Sequence, residues 1–242
     1  MPVELSKAHV NRCGRLLRDF DPNAFDEGEI YAAISTVDWW RARHAKPLAR
    51  VNAGLRHYVK KAGASEQSVT QRLKRFETIV DKLERFPGMQ LTRMEDIGGV
   101  RAILDSQRQV DAVAEALLRQ PKWTIRRVRN YVDGRRPGPK ADGYRAVHVV
   151  VERDGCFVEI QLRTPWQDAW AQSVEQDTRR LRSRLKFGDG PNDLRQYYLL
   201  IAEFFAIRER LEAPSEEFMN DLANLFARTR QYFPTAEEEQ SR

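Results

Sequence analysis

The run from Tyr144 to Pro165 constrains the fold of this chain more than any other stretch. Tyr144 to Glu152 and Cys156 to Arg163 are β-rich and flank Arg153-Asp154-Gly155, and a short Asp-Gly turn between two such runs predicts an antiparallel hairpin. Thr164 then supplies a helix N-cap and Pro165 a first helical residue, so the second strand runs directly into a helix reaching about Leu185. Side-chain alternation places Val158, Ile160 and Leu162 on one face and Glu159, Gln161 and Arg163 on the other. On the first strand, Tyr144, Ala146 and His148 share a face opposite Arg145, Val147, Val149 and Val151. A face carrying Tyr, His, Glu, Gln and Arg is costly to desolvate unless those groups meet a ligand or one another; the alternative is a solvated face of an antiparallel sheet.

The flanking sequence fills in the architecture. Gly99 to Leu104 predicts a buried strand, Val110 to Leu118 a helix, and Trp123 to Val128 a further strand. Between Ser68 and Phe86 an apolar stripe of Val69, Leu73, Phe76, Ile79, Val80 and Leu83 predicts a single helix ending at Pro87-Gly88. Helical periodicity also covers Lys7 to Phe20 and Glu29 to Lys60, the latter interrupted by Pro47 and Gly54. Beyond a break at Gly188 to Asn192, Leu194 to Leu211 and Phe218 to Phe233 are amphipathic helices separated by Pro214. The expectation is an α+β fold: a mixed sheet of four or five strands flanked by helices, with N- and C-terminal helical extensions. Residues 1–67 form the N-terminal helical region, 68–190 the core, and 191–242 helices packing on it.

Composition excludes several classes. No apolar run approaches the roughly 18 residues of a membrane span, and the N-terminus lacks the apolar stretch of a secretory signal, so a cytoplasmic protein is expected. The only cysteines, Cys13 and Cys156, sit in no Cys/His cluster, leaving a disulfide framework or zinc site unsupported. The 41 Lys and Arg exceed the 35 Asp and Glu, a +6 balance compatible with nucleotides, nucleic acid or anionic lipid, and equally with solvated faces. Neither a GxxxxGK[ST] loop nor a GxGxxG fingerprint occurs, so any nucleotide site is of another kind.

Asp96, at a strand entry crowded by Glu95, Gly98, Gly99 and Arg101, and Glu159 on another strand can hold Mg²⁺ while leaving positions for water and phosphate oxygens. Asp96 can equally cap a turn. Arg72, Lys74 and Lys82, and the loop residues Arg135, Arg136 and Lys140, can neutralise phosphates or form solvated faces. Trp166 and Trp170, four residues apart, read as core packing, and His9, His44 and His57 as structural or surface residues.

Four motifs in order, Arg72-x-Lys74 with Thr78-Ile79 and Lys82, Asp96 to Arg101, Gly143 to His148, and Glu159 to Thr164, resemble the synthetase domain of the RelA/SpoT family. The match runs from about Ser68 to Glu175. The resemblance implies a nucleotidyltransferase-like sheet and transfer of pyrophosphate from ATP to a ribose 3′-hydroxyl with release of AMP. It also implies that Arg72 and Arg101 sandwich adenine, that Lys74 and Lys82 bind the ATP phosphates, and that Asp96 and Glu159 hold Mg²⁺, with Glu159 assisting deprotonation of the attacking hydroxyl. Tyr144 would stack on the acceptor base, His148 and Gln161 would contact phosphate or ribose, and Asp168 matches an acidic or amide position.

The chain departs from the pattern after Glu175, where Gln176 replaces a customary His and a basic run from Arg179 to Lys186 follows. The resemblance covers none of the hydrolase and regulatory domains of long members, so a stand-alone synthetase type is expected. Two acceptors suit such a member: GDP or GTP, giving (p)ppGpp, or the 3′ end of tRNA, giving a translation-blocking toxin of a toxin-antitoxin or phage-defence pair. Basic residues near the acceptor motifs, Arg135, Arg136, Lys140, Arg179, Arg180 and Arg182, can follow a tRNA backbone, which favours the second acceptor; a solvated loop and helix face or an allosteric site for an anionic nucleotide are the other readings. An antitoxin and a homo-oligomer are possible partners on that reading, and a non-catalytic nucleotide-binding module is the alternative of a different class.

Overall fold

The computed structural model describes residues 5–121, 123–132, 134–135, 138, 140–181 and 190–233. Its described helices are α1 (Lys7–Arg18), α2 (Glu27–Arg43), α3 (Ala45–Lys61), α4 (Phe76–Arg85), α5 (Gln107–Arg119), α6 (Pro165–Arg180), α7 (Asn192–Glu209) and α8 (Glu216–Thr229). Strands β1 (Val69–Leu73), β2 (Gly98–Ile103), β3 (Thr124–Asn130), β4 (Val147–Arg153) and β5 (Cys156–Arg163) form a five-stranded sheet in the order β1-β2-β5-β4-β3. The chain is α+β, with a mixed sheet and flanking helices as expected. Among the described residues, no helix is long and apolar enough to cross a membrane.

The chain divides into two compact units. The first comprises residues 1–102, 112–128 and 148–161, and so holds α1 to α4 and most of the sheet. Val10, Cys13, Leu17, Val37 and Trp40 from the N-terminal helices close over Ile79, Leu83, Leu91, Met94 and Ile97 in one core. The second comprises 103–111, 129–147 and 162–242, where Tyr144, Ala146, Trp170, Val174, Leu194, Tyr198 and Ala202 pack around α6 and α7.

The hairpin forms as its sequence dictates. Asp154 and Gly155 both take positive φ, 51° and 72°, the left-handed pair that a two-residue turn between twisted strands requires. Thr164 caps α6 with a full capping box: its Oγ1 accepts from the Gln167 N–H, while the Gln167 side chain accepts from the Thr164 N–H.

Four expectations are corrected. Residues 68–86 are a strand and then a helix, because Val69 and Leu73 lie four apart, a spacing that puts both on one face of a strand as well as of a helix. Pro47 lies in the first turn of α3 and Gly54 in its middle; neither breaks it, and the boundary falls at His44. Gly54 is there because Trp123 occupies the space of a side chain: a Cβ would lie 2.4 Å from its Cζ2. Tyr144 precedes β4, and Val147 to Val151 are buried at every position, so β4 presents no solvated face; His148 is buried and meets Glu159 of β5. Trp170 is a core residue, whereas Trp166 is 41% exposed and packs beside Phe205.

Candidate functional site

In the first unit, β1 and β2 pair antiparallel with Arg72 opposite Gly99 and Thr70 opposite Arg101. Thr70 and Arg72 are two apart, as are Gly99 and Arg101, so all four share one face of the sheet. Gly99 contributes no side chain between the two arginines; a Cβ there would meet nothing nearer than the Arg72 carbonyl at 3.8 Å. Thr70, Arg72, Gly99, Arg101 and Gln161 line a cavity of about 200 Å³.

At the end of the same strand pair the backbone places Lys74 beside Asp96. Leu73 pairs with Gly98, the Lys74 N–H donates to the Ile97 carbonyl at 2.8 Å, and Arg41 Nε donates to the Lys74 carbonyl at 2.7 Å. Lys74 Nζ donates to Asp96 Oδ2 at 3.0 Å, and Lys82 Nζ, from α4, to Oδ1 at 2.8 Å. Burial opposes the charge on Asp96, but the two ammoniums outweigh it and hold the carboxyl below its usual range.

Glu159 lies on β5 beside His148 of β4. His148 Nδ1 sits 2.9 Å from Glu159 Oε1, and Gln161 Nε2 donates to Oε2 at 2.8 Å. Burial again opposes ionisation; His148, through its hydrogen bond and electrostatically, then the Gln161 hydrogen bond and the nearby Lys82 charge overcome it, and the carboxyl is pushed down to about 2. Lys82 therefore acts electrostatically on Asp96 and Glu159 alike. Among the described residues no three His, Cys, Asp or Glu side chains cluster as metal ligands. Asp96 and Glu159 are residues that could hold Mg²⁺, which takes one or two protein carboxylates and completes its shell with water and phosphate oxygens.

The second unit holds a separate cluster. Arg163 donates to Asp168 Oδ1 at 2.9 Å and to the Tyr144 hydroxyl at 2.8 Å, all three groups being buried. Asp168 also accepts from Gln172. The Lys140 ammonium stands 4.5 Å from the Tyr144 ring centroid and 4.9 Å from that of Tyr131. Arg145 makes a buried 2.6 Å ion pair with Glu209, which also accepts from Thr164. Gly143 has φ +88°, and a Cβ on it would lie 2.7 Å from that of Ala202; the loop carrying Tyr144 thus lies directly on α7.

The structure thus brings together Arg72, Arg101 and Gln161, then Lys74, Lys82 and Asp96, then Glu159 with His148 and Gln161, and separately Tyr144 with Asp168. Of the basic positions, Arg135 pairs with Asp111, the exposed Arg179 with Glu175, and Arg180 with buried Asp177 beneath the ring of Phe233. Arg136 and Arg182 lie outside the described residues. Sequence reasoning missed Arg163 and Glu209 as organisers of the Tyr144 loop. The parity of Arg163 with Glu159, five residues before Asp168, was an available signal for the first; nothing local marks Glu209.

Residues 71–179 match a family model described as the region found in RelA / SpoT proteins. An uncharacterised protein of Mycobacterium tuberculosis is 37% identical over 119 residues, covering 46% of this chain and 40% of that protein. The GTP pyrophosphokinase YjbM of Bacillus subtilis is 30% identical over 113 residues, covering 43% of this chain and 52% of that one. The chain thus spans about half the length, or less, of these relatives. The structure of a GTP pyrophosphokinase family protein from Streptococcus pneumoniae shares the fold, with a TM-score of 0.58, 22% identity, and coverage of 82% of this chain and 98% of that one.

Proposed function

We propose that this chain, whose residues 71–179 match the RelA/SpoT region, transfers pyrophosphate from ATP to the 3′-hydroxyl of a ribose at the end of tRNA. The observation that carries the reaction class is the shared electrostatics of Lys82, Asp96 and Glu159 in the unit that also holds the arginine-lined cavity. A planar purine suits a slot between two guanidiniums, which stack on aromatic faces. Lys74 and Lys82 already hold a carboxylate and are equally suited to phosphate oxygens. Mg²⁺ on Asp96 and Glu159 would neutralise charge developing on the transferred group.

In the reaction the acceptor O3′ attacks the β-phosphorus of ATP in line. The O3′–Pβ bond forms, the bridging Pα–O–Pβ bond breaks on the β side, and its electron pair leaves with AMP. The hydroxyl proton passes to Glu159, whose depressed pKa makes it a weak base, so positioning and charge stabilisation carry most of the rate.

Two features support tRNA as acceptor. Arg135, Lys140 and Arg179 give the unit of Tyr144 exposed or partly exposed cations. Asp168 is 3% exposed and both its oxygens are engaged, by Arg163 and Gln172, so it does not present a carboxylate to the donor edge of guanine. The second reading, synthesis of (p)ppGpp from GDP or GTP, is favoured by the activity named for the B. subtilis relative. AMP release tests the reaction class itself: purified protein with ATP, Mg²⁺ and either acceptor should release AMP, with Asp96→Asn and Glu159→Gln inactive. ATP binding without AMP release under any of these conditions supports the non-catalytic module instead.

A further inference from the structure

We infer that His148 and Gln161 are positioning residues that lock the Glu159 carboxylate. This rests on the reading of Glu159 as a working carboxylate in the transfer reaction. Each Glu159 oxygen takes one protein partner: Oε1 faces His148 Nδ1 at 2.9 Å, and Oε2 accepts from Gln161 Nε2 at 2.8 Å. The partners come from two directions. Gln161 is two residues on along β5, hence on the same face, while His148 belongs to β4, its hairpin neighbour. Grips on both oxygens fix the plane of the carboxylate, whose last torsion is otherwise broad.

The chemistry of the pair sets the tautomer. An ionised carboxylate only accepts, so His148 presents an N–H at Nδ1. With a capacity of about four acceptor sites, the carboxylate keeps a lone pair on each oxygen for Mg²⁺ or the hydroxyl proton. The His148 side chain is 8% exposed and that of Glu159 12%. A histidine this enclosed, with a ring nitrogen on Glu159, is placed to orient that group.

His148→Asn keeps an N–H donor near the position of Nδ1, whereas His148→Ala and Gln161→Leu remove one grip each. For the two deletions kcat should fall by about 10- to 100-fold, as when groups orienting a metal ligand are removed, with the acceptor KM within twofold or so of wild type. His148→Asn should restore most of kcat. A raised acceptor KM at unchanged kcat would make these residues substrate contacts and overturn the inference, as would an Asn variant no better than Ala. ATP affinity, measured alongside, should stay at the wild-type value in the two His148 variants; its loss in both would mark a merely structural role and also overturn it. Ring ¹⁵N NMR of His148 reads the clamp without activity: an Nδ1–H tautomer in wild type that is lost in Glu159→Ala supports it, and an Nε2–H tautomer in wild type refutes it. Wild-type protein inactive on both acceptors, with the Nδ1–H tautomer present, would sink the proposed function and leave the clamp standing.

Discussion

At the scale of single residues the site is a balance of charges that acid should upset. The folded-state pKa of Glu159 lies at about 2 against an ordinary 4.5, and that of Asp96 is also depressed. A carboxyl depressed on folding contributes stability that is complete above its unfolded value and is lost as pH falls through its folded one. Wild type should therefore lose stability on moving from about pH 4.5 toward pH 2, and Glu159→Gln should lose less over the same window. Urea unfolding of both proteins at pH 6 and pH 3 checks this; equal losses would contradict the assignment. Asp96→Asn should keep ATP affinity, since it frees two ammoniums, yet slow transfer by about 100-fold or more. Gly99→Leu should do the reverse, filling the slot between Arg72 and Arg101 and weakening ATP binding about tenfold, or about 1.4 kcal/mol, at a nearly unchanged unfolding midpoint. Calorimetric titration with ATP distinguishes the two.

At the scale of elements, strict periods and caps were legible and coincidences were not. Asp154-Gly155 and Thr164-Pro165 carry their conformations locally, so the hairpin and the start of α6 appear where the sequence puts them. Val69 and Leu73 satisfy two periods at once, and only pairing with β2 decides for a strand. The alternation of β5 correctly placed Glu159 beside Gln161, but burial of β4 on both faces depends on elements far off in sequence. Glu209 escaped for the same reason, its partner Arg145 lying 64 residues away, whereas Arg163 had a local signal in Asp168 although its other partner, Tyr144, lies 19 residues away. Two substitutions test these elements by denaturant unfolding. Thr164→Ala removes the α6 cap and should cost about 1 to 2 kcal/mol. Gly143→Ala combines a left-handed backbone with a Cβ 2.7 Å from Ala202, and should cost about 2 kcal/mol or more. A Gly143→Ala protein as stable as wild type would mean that the Tyr144 loop does not lie on α7 as described.

At the scale of the whole molecule, the fold was readable because four motifs recur in one order, and the match over residues 71–179 coincides with them; the reaction class is the proposal those motifs support. The acceptor was less readable, since a basic residue after Glu175 looks the same whether it meets a phosphodiester, a nucleotide or a neighbouring acid. The structure divides these residues: Arg180 lies against Asp177 and Phe233, while Arg179 stays exposed on α6. Charge reversal at Arg135 and Arg179 should therefore weaken modification of tRNA and flatten its dependence on salt, by about one unit of log–log slope for each phosphate no longer neutralised. Arg180 variants should lose stability first.

The most direct measurement is transfer of label from γ-³²P-ATP, with Mg²⁺, to tRNA or to GDP and GTP offered separately, using Asp96→Asn and Glu159→Gln as controls. Label should appear on tRNA and require its intact 3′-hydroxyl and both carboxylates. Label on GDP or GTP alone would contradict the acceptor and make the chain a (p)ppGpp synthetase, and no label on any acceptor would contradict the reaction.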